Sequence, residues 1–153
     1  MKQIIPEGYC LQCKGCCRFS RERSEWGVHL TLDEQQSLGI RDTVIPSPKD
    51  PVSGACFCVF LDTRQERCSV YYKRPFECRL YPFLINRRGE TVFLALDTNC
   101  PYAHEHYETQ AMRDFIASLV AECETPDFIQ RLKNNPWLIQ QYDGVLNIAP
   151  LPL

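Results

Sequence analysis

The sequence lacks a long apolar segment. No stretch is long enough to cross a bilayer, and residues 1–9 do not contain the apolar run of a secretory signal peptide. We therefore expect a cytoplasmic protein with no membrane partner. Because a reducing cytosol disfavours structural disulfides, clustered cysteines in such a protein are expected to be metal ligands or redox groups.

The sequence also lacks an excess of basic charge. Its 153 residues include 17 Lys and Arg and 19 Asp and Glu, which gives a formal net charge of -2. Proteins that attract nucleic acid electrostatically concentrate basic residues in a patch. Here the basic residues are scattered among acidic ones, so no nucleic-acid partner is expected. A protein partner is compatible with the sequence, and the oligomeric state is left open.

Internal repeats, low-complexity segments and glycine-rich nucleotide-binding fingerprints are absent as well. The length predicts one domain over residues 1–153, large enough to bury a core without help from a metal. Within it, the cysteine motifs occupy about residues 10–101, and a helical extension is expected over about residues 102–153.

Cysteine is what the sequence has in abundance. It has ten, and four of them fall within the eight residues Cys10-Leu11-Gln12-Cys13-Lys14-Gly15-Cys16-Cys17. A tetrahedral zinc–thiolate site requires sulfurs roughly 3.8 Å apart, which a C-x-x-C turn can provide. Gly15 would permit a left-handed or otherwise tight turn before the third ligand. Adjacent side chains usually diverge, so Cys16 and Cys17 suggest two metals or a cluster with several irons.

A second cysteine region follows. The alternating, aromatic-rich run 56–61 has strand character, and a turn leads from it to Cys68. Such a hairpin could bring Cys58 and Cys68 together. The segment 72–83 is interrupted by proline and is predicted to be a turn that presents Cys78.

The remaining pattern predicts a small α+β domain with short β-hairpins, a long helix in the C-terminal half and a cysteine-rich metal-binding core. Thr31, Glu34 and Gly39 mark the start and end of a short helix. Further predicted elements are a hairpin of Phe83–Asn86 with Thr91–Leu96, a helix over Tyr102–Cys123, and a helix over Pro126–Lys133 capped by Thr125.

Four segments together carry a family resemblance. They are Cys10-x-x-Cys13-x-x-Cys16-Cys17, Cys58-Val59-Phe60-Leu61 followed by Cys68-Ser69-Val70-Tyr71, Arg74-Pro75-x-x-Cys78-Arg79-x-Tyr81-Pro82-Phe83, and Cys100-Pro101. In this pattern the chain resembles the bacterial and archaeal YkgJ-like cysteine-cluster proteins, a CxxCxxCC zinc- or iron-chelating domain related to a region of flagellin lysine N-methylase. The resemblance implies eight metal ligands: Cys10, Cys13, Cys16, Cys17, Cys58, Cys68, Cys78 and Cys100.

The identity of the metal stays open at this point. Eight thiolates suffice for two zinc sites of four cysteines each. Equally, Cys10, Cys13 and Cys16 with the distant Cys100-Pro101 have the spacing by which thiolates hold a 4Fe–4S iron–sulfur cluster. Three functions are compatible with these metals: redox chemistry or metal handling, a catalytic or accessory role in a methylase-like protein-modifying enzyme, and a zinc-stabilised protein-interaction module.

Two arginines of the family-like segment, Arg74 and Arg79, are expected to support the thiolates by hydrogen bonding without binding the metal themselves. Arg79 is the first candidate. Lys14 is expected to be a solvated surface residue.

The other cysteines and the histidines are expected outside the ligand set. Cys123, near the end of a predicted helix, should be a buried core residue. Cys56 is a reserve ligand because it lies two residues from Cys58 in a predicted strand. His29, His104 and His106 are expected in surface or capping roles.

Overall fold

The computed structural model describes residues 3–13, 15–22 and 24–153. The chain divides into two compact units. We call residues 5–78 the N-terminal unit, and residues 79–153 together with residues 3–4 the C-terminal unit. Both contain helices and antiparallel strands, so the predicted α+β class is confirmed.

Short elements build the N-terminal unit, and its strands are two residues long. Strand β1 pairs with β2 and strand β3 pairs with β4, both antiparallel. The elements are α1 (Glu7–Cys13), β1 (Arg18–Phe19), α2 (Leu32–Leu38), β2 (Cys56–Phe57), β3 (Leu61–Asp62), β4 (Arg67–Cys68) and α3 (Phe76–Leu80). Three-residue 3-10 turns occupy Gly15–Cys17 and Tyr71–Lys73.

One apolar cluster of the N-terminal unit contains buried cysteines, and Ile5, Leu61 and Phe76 of the same unit are buried outside it. Trp26 and other half-buried side chains pack against its buried members, which are Phe19, Leu30, Ile45, Cys56 and Cys58. Two of these five are cysteines, so the apolar core and the cysteine-rich region of this unit are continuous.

Helix α2 has the caps that the sequence predicts. The Thr31 hydroxyl accepts a hydrogen bond from the Glu34 N–H, and the Glu34 carboxylate accepts one from the Thr31 N–H at 3.0 Å. At the other end, Gly39 takes a left-handed conformation with φ of 66°, which costs glycine little. The predicted capping box and helix end are confirmed.

The second cysteine region differs from its prediction. The run 56–61 is not one strand, because β2 pairs with β1 while β3 pairs with β4. Cys58 lies between these two short strands, and only β3 and β4 form the predicted hairpin. The proline-containing segment that follows carries Cys78 on the short helix α3.

Longer elements build the C-terminal unit. A three-stranded antiparallel sheet has the strand order β5-β6-β7. The predicted hairpin is confirmed by β5 and β6, which turn at Gly89 with φ of 57°. Strand β7 was not predicted. The elements are β5 (Phe83–Arg88), β6 (Thr91–Leu96), α4 (Pro101–His106), α5 (Gln110–Cys123), α6 (Pro126–Asn134) and β7 (Leu146–Pro150), with a 3-10 turn at Pro136–Leu138 that contains Trp137.

The predicted helix over residues 102–123 is wrong in its continuity. Thr109 has an extended backbone, with φ of -74° and ψ of 151°, and its hydroxyl accepts the N–H of Met112. Thr109 therefore begins a new helix, α5, after α4 has ended. The predicted cap of α6 is confirmed, since the Thr125 hydroxyl accepts the N–H of Phe128.

The division into compact units does not decide whether they unfold together, so the single domain over residues 1–153 stays a prediction. Among the described residues, no helix combines the length and the apolar character needed to cross a membrane.

Candidate metal centre

The first cysteine motif spans a helix and a 3-10 turn. Helix α1 carries Cys10 and Cys13, whose spacing of three residues places them on one face. The 3-10 turn carries Cys16 and Cys17. Gly15 starts this right-handed turn and is not left-handed, so its predicted role is confirmed only as a tight turn. Lys14 lies outside the described residues.

The adjacent thiols of Cys16 and Cys17 hydrogen-bond to each other. This bond is the main cause of a Cys16 pKa well above its usual range, although the residue is exposed. The same bond lowers the pKa of Cys17. The positive charges of Arg18 and Arg74 lower this pKa further. The expected divergence holds for a chain that is not tightly turned, and the 3-10 turn at Gly15–Cys17 is a tight one in which the two thiols meet.

Strand pairing brings Cys58 to Cys17. In the antiparallel pair β1–β2, Arg18 opposes Phe57, so the next opposed pair is Cys17 and Cys58. The Cys58 N–H donates to the Cys17 carbonyl at 3.0 Å. The thiols of Cys17 and Cys58 interact electrostatically.

The β3–β4 hairpin brings Cys68 back to Cys58. Cys68 opposes Leu61, and the Leu61 N–H donates to the Cys58 carbonyl at 2.8 Å. The thiols of Cys58 and Cys68 interact electrostatically. The predicted proximity of these two cysteines is confirmed.

Two half-buried glutamates, Glu34 and Glu77 of α3 itself, connect the helix that carries Cys78 to its surroundings. The Phe76 N–H, at the start of α3, donates to Glu34 Oε1 at 2.6 Å. His29 donates its backbone N–H to Glu77 Oε2 at 2.5 Å, and its Nδ1 lies 3.3 Å from the same oxygen. Burial raises the pKa of Glu77, although His29 opposes this effect. His29 is buried, so the expectation of a surface or capping role is wrong for it.

Six thiols of the N-terminal unit form one electrostatic network. Each pair among Cys17, Cys58, Cys68 and Cys78 interacts. Each pair among Cys10, Cys16 and Cys17 interacts as well. Cys17 is the member that the two sets share.

Burial favours the neutral form of most of these thiols. It raises the pKa of Cys58 to about 12, and it is the main cause of the raised pKa values of Cys10, Cys68 and Cys78. Neighbouring thiols raise these values further because their thiolates would repel one another. A bound cation would remove both penalties by neutralising the charge.

Arg74 provides a fixed positive charge beside the network. Its Nη1 donates to Cys10 Sγ at 3.6 Å, and its Cζ lies 3.6 Å from the centre of the Tyr71 ring. The hydroxyl of Tyr71 also hydrogen-bonds to the Cys10 thiol. Stacking on the ring limits the rotation of the guanidinium group, which therefore stays directed at the sulfur.

Arg79, the first candidate from the sequence, follows Cys78 on α3. It is exposed, it belongs to the C-terminal unit, and it lines a shallow pocket there with Tyr81, Phe83 and Phe115. The observed contact with a candidate ligand belongs to Arg74.

The other cysteines occupy different environments. Cys13 is exposed, and a Cβ atom added to Gly15 would lie 3.5 Å from its sulfur. Cys100 is buried in the C-terminal unit, just before α4. Cys56 packs in the apolar cluster, and Cys123 is fully buried in α5, as expected of a core residue.

Sequence reasoning overlooked Tyr71 and gave Arg18 no specific partner. The signal for Tyr71 was its place at the end of the motif Cys68-Ser69-Val70-Tyr71, three residues before Arg74. The signal for Arg18 was its position next to Cys17, since a neighbouring cation favours a thiolate.

A family model covers the region that contains this network. The model is described as "CxxCxxCC: Putative zinc- or iron-chelating domain", and it matches residues 9–101, more than half of the chain. The chain belongs to this family. The match confirms the resemblance read from the cysteine motifs. Searches of curated proteins and of solved structures found no significant match.

The donor set of this CxxCxxCC domain fits a soft or borderline metal ion, because thiolates are the ligands that zinc and iron–sulfur clusters prefer. Among residues 3–13, 15–22 and 24–153, however, no three His, Cys, Asp or Glu side chains lie close enough to hold a metal ion as they stand. Coordination therefore requires the thiols to deprotonate and move closer together.

Proposed function

We propose that this CxxCxxCC domain binds zinc through cysteine thiolates of its N-terminal unit, and that the metal stabilises the fold of that unit. The observation that carries the proposal is the network of six thiols drawn from α1, the 3-10 turn, β4, α3 and the segment between β2 and β3. One metal-binding region would thus connect four elements of the unit and the segment between β2 and β3.

The architecture of the N-terminal unit supports a stabilising role for the metal. Its strands are two residues long, and its apolar cluster has five buried members, two of them cysteines. Two-stranded pairs of this length are marginal in water. Structural zinc supplies folding free energy directly in units that have little hydrophobic core.

Nearby cations support thiolate ligation. Several thiolates around divalent ions leave a net negative charge, which partly buried arginines can offset. Arg74 acts on Cys10, Cys17 and Cys68, and Arg18 acts on Cys17. Both arginines lie on the N-terminal unit together with these thiols.

Zinc is favoured over the 4Fe–4S cluster by the set of thiols that interact. The four-iron spacing combined the first motif with Cys100, which belongs to the C-terminal unit. Cys10, Cys16 and Cys17 of the first motif interact with thiols of their own unit, namely Cys58, Cys68 and Cys78. A closed all-thiolate site is typical of structural zinc.

Elemental analysis with an absorption spectrum, on full-length protein purified without oxygen, tests the proposal. We expect zinc, no acid-labile sulfide and no visible absorption. Iron with sulfide and a brown colour would show a cluster protein instead, and protein without bound metal would refute chelation.

A matched pair of variants connects the metal to the network. Cys58→Ser should lower the zinc content, because Cys58 interacts with Cys17, Cys68 and Cys78. Cys123→Ser should not, since Cys123 is a buried cysteine of α5 in the other unit. Equal zinc content in the two variants would argue against the assigned thiols.

A further inference from the structure

Cys17 has a special position among the thiols of the N-terminal unit. It is the shared member of two sets in which every pair of thiols interacts. One set adds Cys58, Cys68 and Cys78, and the other adds Cys10 and Cys16.

The backbone accounts for this position. Cys17 ends the 3-10 turn, so its thiol meets that of Cys16 on one side. It also precedes β1, whose pairing with β2 places Cys58 opposite it, with a hydrogen bond of 3.0 Å between their backbones. The turn and the strand pair therefore direct two groups of thiols to one sulfur.

The two sets are neighbours. Cys10 interacts with Cys68, and Cys16 interacts with Cys78. Helix α1 lies against β4, the strand that contains Cys68. Two metal ions bound by these sets would consequently occupy adjacent positions and not separate ends of the unit.

The number of cysteines matches such an arrangement. The N-terminal unit has eight cysteines, of which Cys56 packs in the apolar cluster. The remaining seven include Cys13, which is on the same helix face as Cys10. Two four-coordinate zinc ions need eight thiolates when their sites are separate and seven when they share one.

We infer that Cys17 bridges two zinc ions in a binuclear centre confined to the N-terminal unit. The first ion is bound by Cys17 with Cys58, Cys68 and Cys78. The second is bound by Cys17 with Cys10, Cys13 and Cys16. This inference rests on the zinc binding proposed above, and it replaces the two separate sites, which needed Cys100 as the eighth ligand.

Cadmium NMR on the full chain tests the shared sulfur directly. With ¹¹³Cd as the probe, we expect two resonances per chain that split each other, because scalar coupling between the ions passes through a common thiolate. Two resonances without mutual splitting, or a single bound ion, would overturn the bridge while leaving metal binding intact. A chain that binds neither cadmium nor zinc would refute the proposed function itself.

Zinc counts in single variants give an independent readout. Cys68→Ser and Cys13→Ser should each retain about one tightly bound zinc of two, because each removes a ligand of one ion only. Cys17→Ser should retain less than either, since it removes a ligand from both ions. A Cys17→Ser protein that retains as much zinc as Cys68→Ser contradicts the bridge.

Cys100→Ser separates the bridge from two independent four-cysteine sites. The binuclear centre predicts two zinc ions and coupled cadmium resonances in this variant. Two independent sites predict the loss of one ion. Because Cys100 is buried, far-ultraviolet circular dichroism should accompany the count, and if this variant misfolds, the coupling measured in the unmodified chain decides the question.

Discussion

The two units of this chain are built differently. The C-terminal unit has strands of five or six residues and a sheet whose central strand contains Leu94, Ala95 and Leu96, all fully buried. The N-terminal unit has strands of two residues, a small apolar cluster and a network of thiols. The difference in architecture leads us to expect that bound metal matters more for the stability of the N-terminal unit than for that of the C-terminal unit.

Metal removal should produce the largest difference in stability between the two units. A chelator is expected to abolish amide hydrogen-exchange protection in residues 5–78 and to leave the sheet β5-β6-β7 protected. Structural zinc contributes about 10–16 kcal/mol in small peptides, comparable to the entire stability of a typical domain. Hydrogen exchange read by mass spectrometry checks this, and equal protection of both units after chelation would contradict the comparison.

A core substitution should produce the opposite pattern. Leu94→Ala is expected to lower the free energy of unfolding of the C-terminal unit by about 2–5 kcal/mol, because it leaves a cavity at a fully buried position. Urea unfolding measures the loss. Zinc content should stay unchanged, and a parallel loss of zinc would show that metal binding depends on this core.

The guanidinium beside Cys10 should affect metal affinity more than folding. Arg74→Ala is expected to weaken zinc binding about 10–100-fold, as observed when groups that support metal ligands are removed. Competition with a chromophoric chelator gives the affinity. Arg113→Ala is the control, since Arg113 is exposed and lies on α5 of the other unit. Equal affinities in the two variants would remove Arg74 from this role.

The buried thiol of Cys123 should make the C-terminal unit sensitive to alkali. Burial raises its pKa to about 12, from a usual value of 9.0, and the neighbouring Glu122 and Glu124 add to this effect. A raised pKa in the folded state means that the stabilising contribution is complete below about pH 9 and declines as the pH rises toward 12, by up to about 1.4 kcal/mol per pH unit. Urea unfolding at about pH 8, 9 and 10 should show a steeper decline for the natural chain than for Cys123→Ala. Parallel pH profiles would exclude Cys123 as the cause.

Two helix caps offer the mildest comparison. Thr31→Ala and Thr109→Ala each remove one hydroxyl acceptor at a helix start, in the N-terminal and C-terminal unit respectively. Each should cost about 1 kcal/mol. In the zinc-loaded protein the cost at Thr31 should appear as weaker zinc binding, because folding and binding are coupled there. Thermal unfolding of both variants with and without chelator measures these losses of stability. A loss for Thr31→Ala that is the same with and without chelator would contradict the expected difference between the two units.

The sequence predicted features that depend on near neighbours. Thr31, Glu34 and Gly39 defined helix α2, Arg87 to Glu90 predicted the β5–β6 turn, and the cysteine motifs predicted the family. These signals are local in the chain, so they do not require knowledge of the tertiary fold.

Features that depend on distant partners were missed. Strand β7 lies on the sheet only because it pairs with β6, about fifty residues earlier in the chain. Cys58 meets Cys17 through the β1–β2 pair, and Arg74 meets Cys10 across a separation of 64 residues. The sequence could not reveal the contact of Arg74 with Cys10 for this reason, since Arg74 and Arg79 occur in the same motif and only tertiary contacts distinguish them.

The two tryptophans of the chain are divided between the units, with Trp26 against the apolar cluster of the N-terminal unit and Trp137 in the 3-10 turn after α6. Intrinsic fluorescence of the natural chain thus mixes two emitters with different surroundings. Trp137→Phe leaves one emitter, which packs against a cluster that includes Cys58. Binding of the proposed zinc to the thiol network should then be measurable in real time as a change in Trp26 fluorescence.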